Sequence, residues 1–290
     1  MNKSNIYRQR RAKRPFGLSP KERGAITVTL LGIGLILFLV LGGQLSKAGR
    51  TEKLLTPDSL TCLEHVVLPK GTTEQIVDYT GFTVSFNAVY HLPNYVVWEL
   101  TGEEAQGTEP RKSKFKPDYN VTGTPLLSDY KNSGYDRGHM APAGDMKWSE
   151  EAMDDSHYLT NMCPQDHSIN SGRWSTLETK CRQWALRDSA LIIIAGPILT
   201  DHMPETIGAS RVSVPKRFFK VILAPFNNPP TGIAFIMPNS PTSDGIESMA
   251  TTIDKVEEIT GYDFFACLPD DIENSVESEC RYRYWNRKNR

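Results

Sequence analysis

The sequence predicts an α+β fold: a mixed, largely antiparallel central sheet with flanking helices. Three observations carry this. Short apolar or alternating runs, most of them closed by glycine or proline, have the period and length of strands. Helical segments fall between them without the regular strand–helix–strand alternation that marks a parallel sheet. No internal repeat or low-complexity tract breaks the chain.

Taken in order, Phe82–Phe86 and Tyr95–Leu100 are expected strands. Residues 101–125, rich in Gly, Pro, Lys and Glu, are an expected surface loop. Ser149–Asp155 reads as a short helix, with Ser149 as N-cap and acids in the first turn. A longer helix is expected over 170–187, then a buried strand, Ala190–Ala195, ended by Gly196-Pro197. Two more strands follow, Phe218–Leu223 and Gly232–Met237. A last helix, 244–260, ends at Gly261.

The composition excludes several classes. With 39% hydrophobic and 23% charged residues in a chain of 290, it is neither disordered, collagen-like nor a coiled coil. Five cysteines are too few for a disulfide scaffold of this length. A mean hydropathy of −0.40 excludes a multi-span membrane protein but not a single span. Residues 25–45, AITVTLLGIGLILFLVLGGQL, carry no charge. As a helix they would reach about 31 Å, the thickness of a bilayer hydrocarbon core. Residues 1–24 hold eight basic side chains and one acid, so the positive-inside rule keeps this tail in the cytoplasm and the rest beyond the membrane. The expected organisation is a basic tail (1–24), a transmembrane anchor contacting the lipid bilayer (25–45), a stem (46–75) and a catalytic domain (76–290). The expected place is the cell (inner) membrane, with the catalytic domain periplasmic or extracellular. The Arg-rich, acid-poor tail makes a mitochondrial inner membrane the alternative.

The reactive side chains concentrate in two places. In Asp136-Arg137-Gly138-His139-Met140-Ala141-Pro142, the neighbouring Arg137 disfavours the imidazolium of His139, leaving a base near neutral pH. Arg137 itself is a fork suited to phosphate. Asn161 follows in a loop, and then Asn170, Trp174, Glu178 and Arg182 recur every fourth residue, one stripe of a helix. A base, two guanidinium forks, an amide able to bind a hard cation and a carboxylate suit phosphodiester hydrolysis. Mg²⁺ keeps most of its waters and takes few protein ligands, so Asn170 alone could be the direct one.

These motifs resemble the DNA/RNA non-specific endonucleases, the ββα-metal or His-Me finger nucleases, with the endonuclease G branch nearest. The D-R-G-H motif is intact at 136–139, and N-x₃-W-x₃-E-x₃-R stands at 170–182. The similarity extends over roughly 75–270, through the FFKVIL and FIMPN segments. The resemblance implies a ββα-metal finger, cleavage of DNA and RNA, 5′-phosphate ends, and Mg²⁺ with Mn²⁺ as a substitute. By residue, it implies His139 as general base and Asn170 as metal ligand. Glu178 and Asn161 would hold metal-bound waters, and Arg137 and Arg182 would contact phosphate. Asp136 belongs to the same catalytic motif. An upstream phosphate-binding cation is best matched by Arg111, with Lys112 and Lys114 as competitors. A homodimer is compatible with this reading. The rivals are a non-catalytic nucleic-acid or envelope interaction module on the same fold, and a phosphoesterase for a small substrate.

Of the cysteines, Cys267 and Cys280 bracket a short acidic loop and are the expected disulfide. Cys163 is expected buried and free. His167 fits no role in the family scheme and is expected to be a solvated loop histidine.

Overall fold

The computed structural model describes residues 62–111 and 114–287. The tail, the expected anchor 25–45, the stem up to residue 61 and Lys112 lie outside the described residues. Among the described residues, no helix is long and apolar enough to cross a membrane.

The strands are β1 (Gln75–Asp78), β2 (Thr83–Asn87), β3 (Leu92–Thr101), β4 (Asp136–His139), β5 (Met162–Gln165), β6 (Ala190–Pro197), β7 (Thr206–Ile207), β8 (Val212–Ser213), β9 (Arg217–Ala224), β10 (Thr231–Pro238) and β11 (Ala250–Thr251). The helices are α1 (Leu127–Tyr130), α2 (Glu150–Asp155), α3 (Ser175–Asp188), α4 (Ile246–Met249), α5 (Ile253–Thr260), α6 (Asp270–Glu277) and α7 (Tyr282–Trp285). A seven-stranded sheet runs in the order β1-β2-β3-β6-β9-β10-β11, and every pairing in it is antiparallel. The expected α+β class with a large antiparallel sheet is therefore what the chain adopts.

The central strands show why their sequences are continuously apolar rather than alternating. All eight residues of β6 are buried. Trp98, Ile193 and Ile222 lie opposite one another across β3, β6 and β9 and face a core that includes Trp174, Leu177, Cys181 and Trp184 of the α3 region. On β9 the alternate residue Phe219 instead meets Tyr262 and Phe264, which follow α5. With both faces covered, both parities of each strand must be apolar.

Two expected helices are broken. The 170–187 segment is not one helix: residues Ile169–Trp174 form a wide turn, with Gly172 at φ −103° and ψ −106°, before α3 begins. The 244–260 segment splits into α4 and α5 around the short edge strand β11, and α5 ends at Gly261 in the left-handed region, φ 71°. The predicted Ser149 cap is present, its side chain accepting the Ala152 N–H.

The expected Cys267–Cys280 disulfide is not formed. Cys267 pairs with Cys62, Cα atoms 6.1 Å apart, and Cys280 is exposed and free. The reason is a contact distant in sequence: Val67 and Asp263 exchange both backbone hydrogen bonds, which brings the start of the described chain alongside Cys267. Residues 62–75, expected as stem, are thus bound to the body. Cys163 is buried and free, as expected.

Candidate active site

The segment Asp136–His139 forms β4, which pairs with β5 in an antiparallel two-stranded ribbon; Gly138 faces Cys163 and His139 faces Met162. The wide turn and α3 follow the ribbon, giving a ββα unit. Gly138 has a steric reason: a Cβ there would lie 2.0 Å from Oε1 of the buried Gln165. The ribbon is tied to the turn by Trp174, whose Nε1 donates to the His139 carbonyl at 3.0 Å.

Beside this unit lies a cleft of about 430 Å³ whose lining includes Arg111, Asp136, Arg137, His139, Asn170 and Glu178. Six of the eight residues singled out from sequence therefore meet in one place. His139 packs edge-on against His157, ring centroids 5.3 Å apart, and lies 5.4 Å from the Phe115 ring. Its Nε2 is covered and has no hydrogen-bond partner in the chain. Burial, then the positive charge of Arg111, holds its imidazole well below the ordinary histidine pKa, so the neutral form persists at neutral pH.

Asp136 Oδ2 accepts from Asn170 Nδ2 at 2.9 Å and also meets His167 Nδ1 at 2.8 Å. That bond commits the nitrogen of the Asn170 amide and leaves its carbonyl oxygen as the end available to a cation. His167 is exposed, as expected, but it is held by this carboxylate rather than by solvent alone. Burial pushes the Glu178 carboxyl up to about 7, against the pull of Lys220. The cleft thus offers an amide oxygen and a carboxylate with no thiolate, a hard donor set that fits a divalent cation such as Mg²⁺. Among the described residues, the three carboxylates close enough together to share an ion are Asp254, Glu257 and Glu277. None of them lines this cleft.

Two expected residues are placed differently. Asn161 is fully buried, and its amide is consumed: Oδ1 accepts the Ala141 N–H, while Nδ2 donates to the carbonyls of Ala141 and Ser156, each at 2.9 Å. With its backbone carbonyl accepting from Met140, it continues the β4–β5 pairing beyond the last ladder pair, and both of its Nδ2 hydrogens are spent on the backbone. Arg182 does not line the cleft. Its Nη1 donates to the fully buried carboxylate of Asp145 at 2.8 Å, and Trp98 Nε1 donates to the other Asp145 oxygen at 3.1 Å. Arg182 therefore neutralises a buried acid behind Glu178.

Arg111 and Arg137 are the guanidinium groups of the cleft. Arg137 stacks over the Phe115 ring, 4.5 Å from its centroid, and Arg111 Nε donates to His157 Nε2 at 3.2 Å. Sequence reasoning passed over His157, Phe115 and Tyr130. His157 lies just beyond the expected helix Ser149–Asp155, in a stretch given no role. Phe115 follows Arg111 by four places and could have been noticed as an aromatic among cations. Tyr130 lines the cleft with a buried hydroxyl that has no partner.

The profile of the DNA/RNA non-specific endonuclease family matches residues 62–271. The chain is 34% identical over 236 residues to "Nuclease EXOG, mitochondrial" of Mus musculus, covering 75% of this chain and 63% of the mouse protein. It is 31% identical over 258 residues to "Nuclease 1, mitochondrial" of Schizosaccharomyces pombe, covering 81% and 80%. The chain thus spans less than two thirds of the mouse relative's length. Among solved structures, a crystal structure of an EndoG/EndoGI complex is similar with a TM-score of 0.63 and 29% identity, over 68% of this chain and 87% of that one.

Proposed function

The chain belongs to the DNA/RNA non-specific endonuclease family, and from that premise we propose that it is an Mg²⁺-dependent endonuclease hydrolysing phosphodiester bonds in DNA and RNA and leaving 5′-phosphate ends. The observation that carries this reading is one cleft containing a neutral His139 and an Asn170 amide turned by Asp136. His139 accepts the proton of the attacking water on its neutral imidazole, and the low proton affinity imposed by burial keeps it ready to do so. Arg111 and Arg137 bind the phosphate and balance the charge that grows on it. Asn170 and Glu178 would hold Mg²⁺, directly and through water respectively; when bound, the metal supplies polarisation of the phosphate and stabilisation of the departing oxygen. Asp136 fixes which end of the Asn170 amide faces the cation. Asn161 and Arg182 act at one remove, by building the loop after His139 and by compensating Asp145.

We place this activity at a membrane, through residues 25–45. Relatives named as mitochondrial nucleases support a mitochondrial address over the cell membrane. Carbonate extraction and fractionation of the native host test the tether and its address. For the chemistry, the full chain is given supercoiled plasmid and single-stranded RNA, with Mg²⁺ or with EDTA, beside His139→Ala. Cutting by wild type that EDTA and His139→Ala each abolish is expected. Binding without cutting would favour an interaction module, and cutting by His139→Ala would remove the assigned base.

A further inference from the structure

His157 is 1% exposed, and its hydrogen bonds determine its state. Nδ1 lies 2.9 Å from the Met153 carbonyl, which can only accept, so Nδ1 carries a proton. Nε2 lies 3.2 Å from Arg111 Nε, which can only donate. Nε2 must therefore be bare, and the ring is neutral. A second proton would set two N–H groups against each other beside a permanent cation. The charged and titratable groups around the ring favour the same state: Arg111 and Lys116 oppose protonation, His139 stands edge-on, and only Asp154 pulls the other way. Burial is the largest cause of its lowered pKa.

The consequence concerns Arg111. It is an exposed residue in a loop, adjoining residues 112–113, and its guanidinium lines the cleft. A long exposed arginine ordinarily forfeits rotamer freedom when it engages a ligand. Here its Nε is already anchored to a ring that packs on the base, while its two terminal nitrogens stay available for a phosphate fork. Phe115 completes the arrangement, lying 5.2 Å from the His157 ring and 5.4 Å from that of His139.

We propose that His157 is a positioning residue for substrate binding: as a neutral acceptor it presets Arg111 over the cleft, so that substrate phosphate meets a guanidinium already in place. This deepens the nuclease reading and rests on Arg111 as a phosphate contact. Because the lock requires a bare Nε2, acid releases it, and substrate affinity falls as His157 gains a proton, separately from any loss of the base at His139.

The test is steady-state cleavage of a short duplex by the full chain with saturating Mg²⁺. His157→Phe keeps an aromatic ring and removes the acceptor. KM is expected to rise about 10-fold, the scale of one hydrogen bond to a charged group, with kcat changed less than about threefold. Arg111→Ala should raise KM at least as much, and the double variant should be no worse than Arg111→Ala alone, because both remove one device. In wild type KM should climb between pH 7 and pH 5 more steeply than in His157→Phe. His157→Gln retains an acceptor that cannot titrate. It should return KM toward wild type with a flat pH dependence, and it carries the test if the Phe variant does not fold. An unchanged KM in His157→Phe, additive effects in the double variant, or a wild-type pH slope in His157→Gln would overturn the proposal. Wild-type kinetics in Arg111→Ala would instead overturn the phosphate role on which it rests.

Discussion

Glu178 is the place where this fold should give up stability for chemistry. Its carboxyl is pushed from 4.5 up to about 7 by burial, with Asp145 adding to the shift and Lys220, Arg182 and Arg111 opposing it. The sign follows from linkage. An acid whose folded pKa is raised is disfavoured when ionised, so stability is fullest below the unfolded value and falls as pH rises from about 4.5 to about 7. At about 1.36 kcal/mol per pH unit the full penalty is about 3 kcal/mol. Water at the cleft mouth screens part of it, which leaves roughly 1.5–3 kcal/mol above pH 7. Glu178→Gln removes the charge and keeps the shape. In EDTA at pH 8 the variant should be the more stable protein, by about 4–8 °C in Tm for a body of this size. At pH 5 the wild-type carboxyl is already protonated in the folded state, and the gap should shrink below about 1 kcal/mol. The same variant should have lost most of its nuclease activity. Thermal unfolding of both proteins at the two pH values is the assay. A Gln variant no more stable at pH 8, or a gap equally large at pH 5, would refute the reasoning.

Three further outcomes are expected. Asp136→Ala should raise the Mg²⁺ concentration for half-maximal activity by about 10–100-fold, the scale known for outer-shell partners, and Asn170→Ala should raise it further; superimposable Mg²⁺ activation curves would contradict both. Asn161→Ala should lower stability by about 2–4 kcal/mol in urea unfolding, because it orphans the backbone of Ala141 and Ser156, while the Mg²⁺ requirement of the folded fraction stays that of wild type. Reduction of Cys62–Cys267, or Cys62→Ser with Cys267→Ser, should cost about 2–4 kcal/mol for a bridge spanning 205 residues, whereas Cys280→Ser should leave Tm unchanged.

What the sequence revealed, and what it withheld, divides along the range of the interactions. The long central strands were legible because burial on both faces writes itself as uninterrupted apolar runs such as Ala190–Ala195, which the structure lengthens; the expected Phe82–Phe86 shifts by one residue to Thr83–Asn87, and the short strands β1, β4, β5, β7, β8 and β11 were not read. The cleft was legible where its members lie within a few residues of one another, as in Asp136–His139, or repeat with helical spacing. The same spacing misled at its N-terminal end. Asn170 to Arg182 looks like one stripe, but the chain breaks at Gly172, so Asn170 reaches the cleft from a wide turn and is aimed by Asp136 rather than by α3. The family resemblance implied that Asn161 holds a metal-bound water and Arg182 contacts phosphate. An amide and a guanidinium can each serve a ligand or a buried backbone, and only the fold shows that Ala141 and Asp145 already occupy them.

The buried charge on β9 is the clearest case of information that no local pattern holds. In FFKVIL the lysine reads as the polar member of a strand, yet Lys220 is fully buried and its Nζ has no hydrogen-bond partner. It lies 4.3 Å from the Trp174 ring centroid and 5.1 Å from that of Trp98. Two indole faces replace part of the hydration that an ammonium loses on burial. What makes a cation tolerable there is the set of acids that the surrounding elements bring near it. Lys220 draws the pKa of both Glu178 on α3 and Asp145 down against the burial that raises them. Arg182 does the same from the other side, through its direct bond to Asp145. Two cations beneath the cleft thus answer two acids, one of which faces the reaction. That balance allows Glu178 to sit half-buried with a pKa near neutrality instead of being fixed as a neutral acid, and so to be ready for a cation at the pH where His139 is a base.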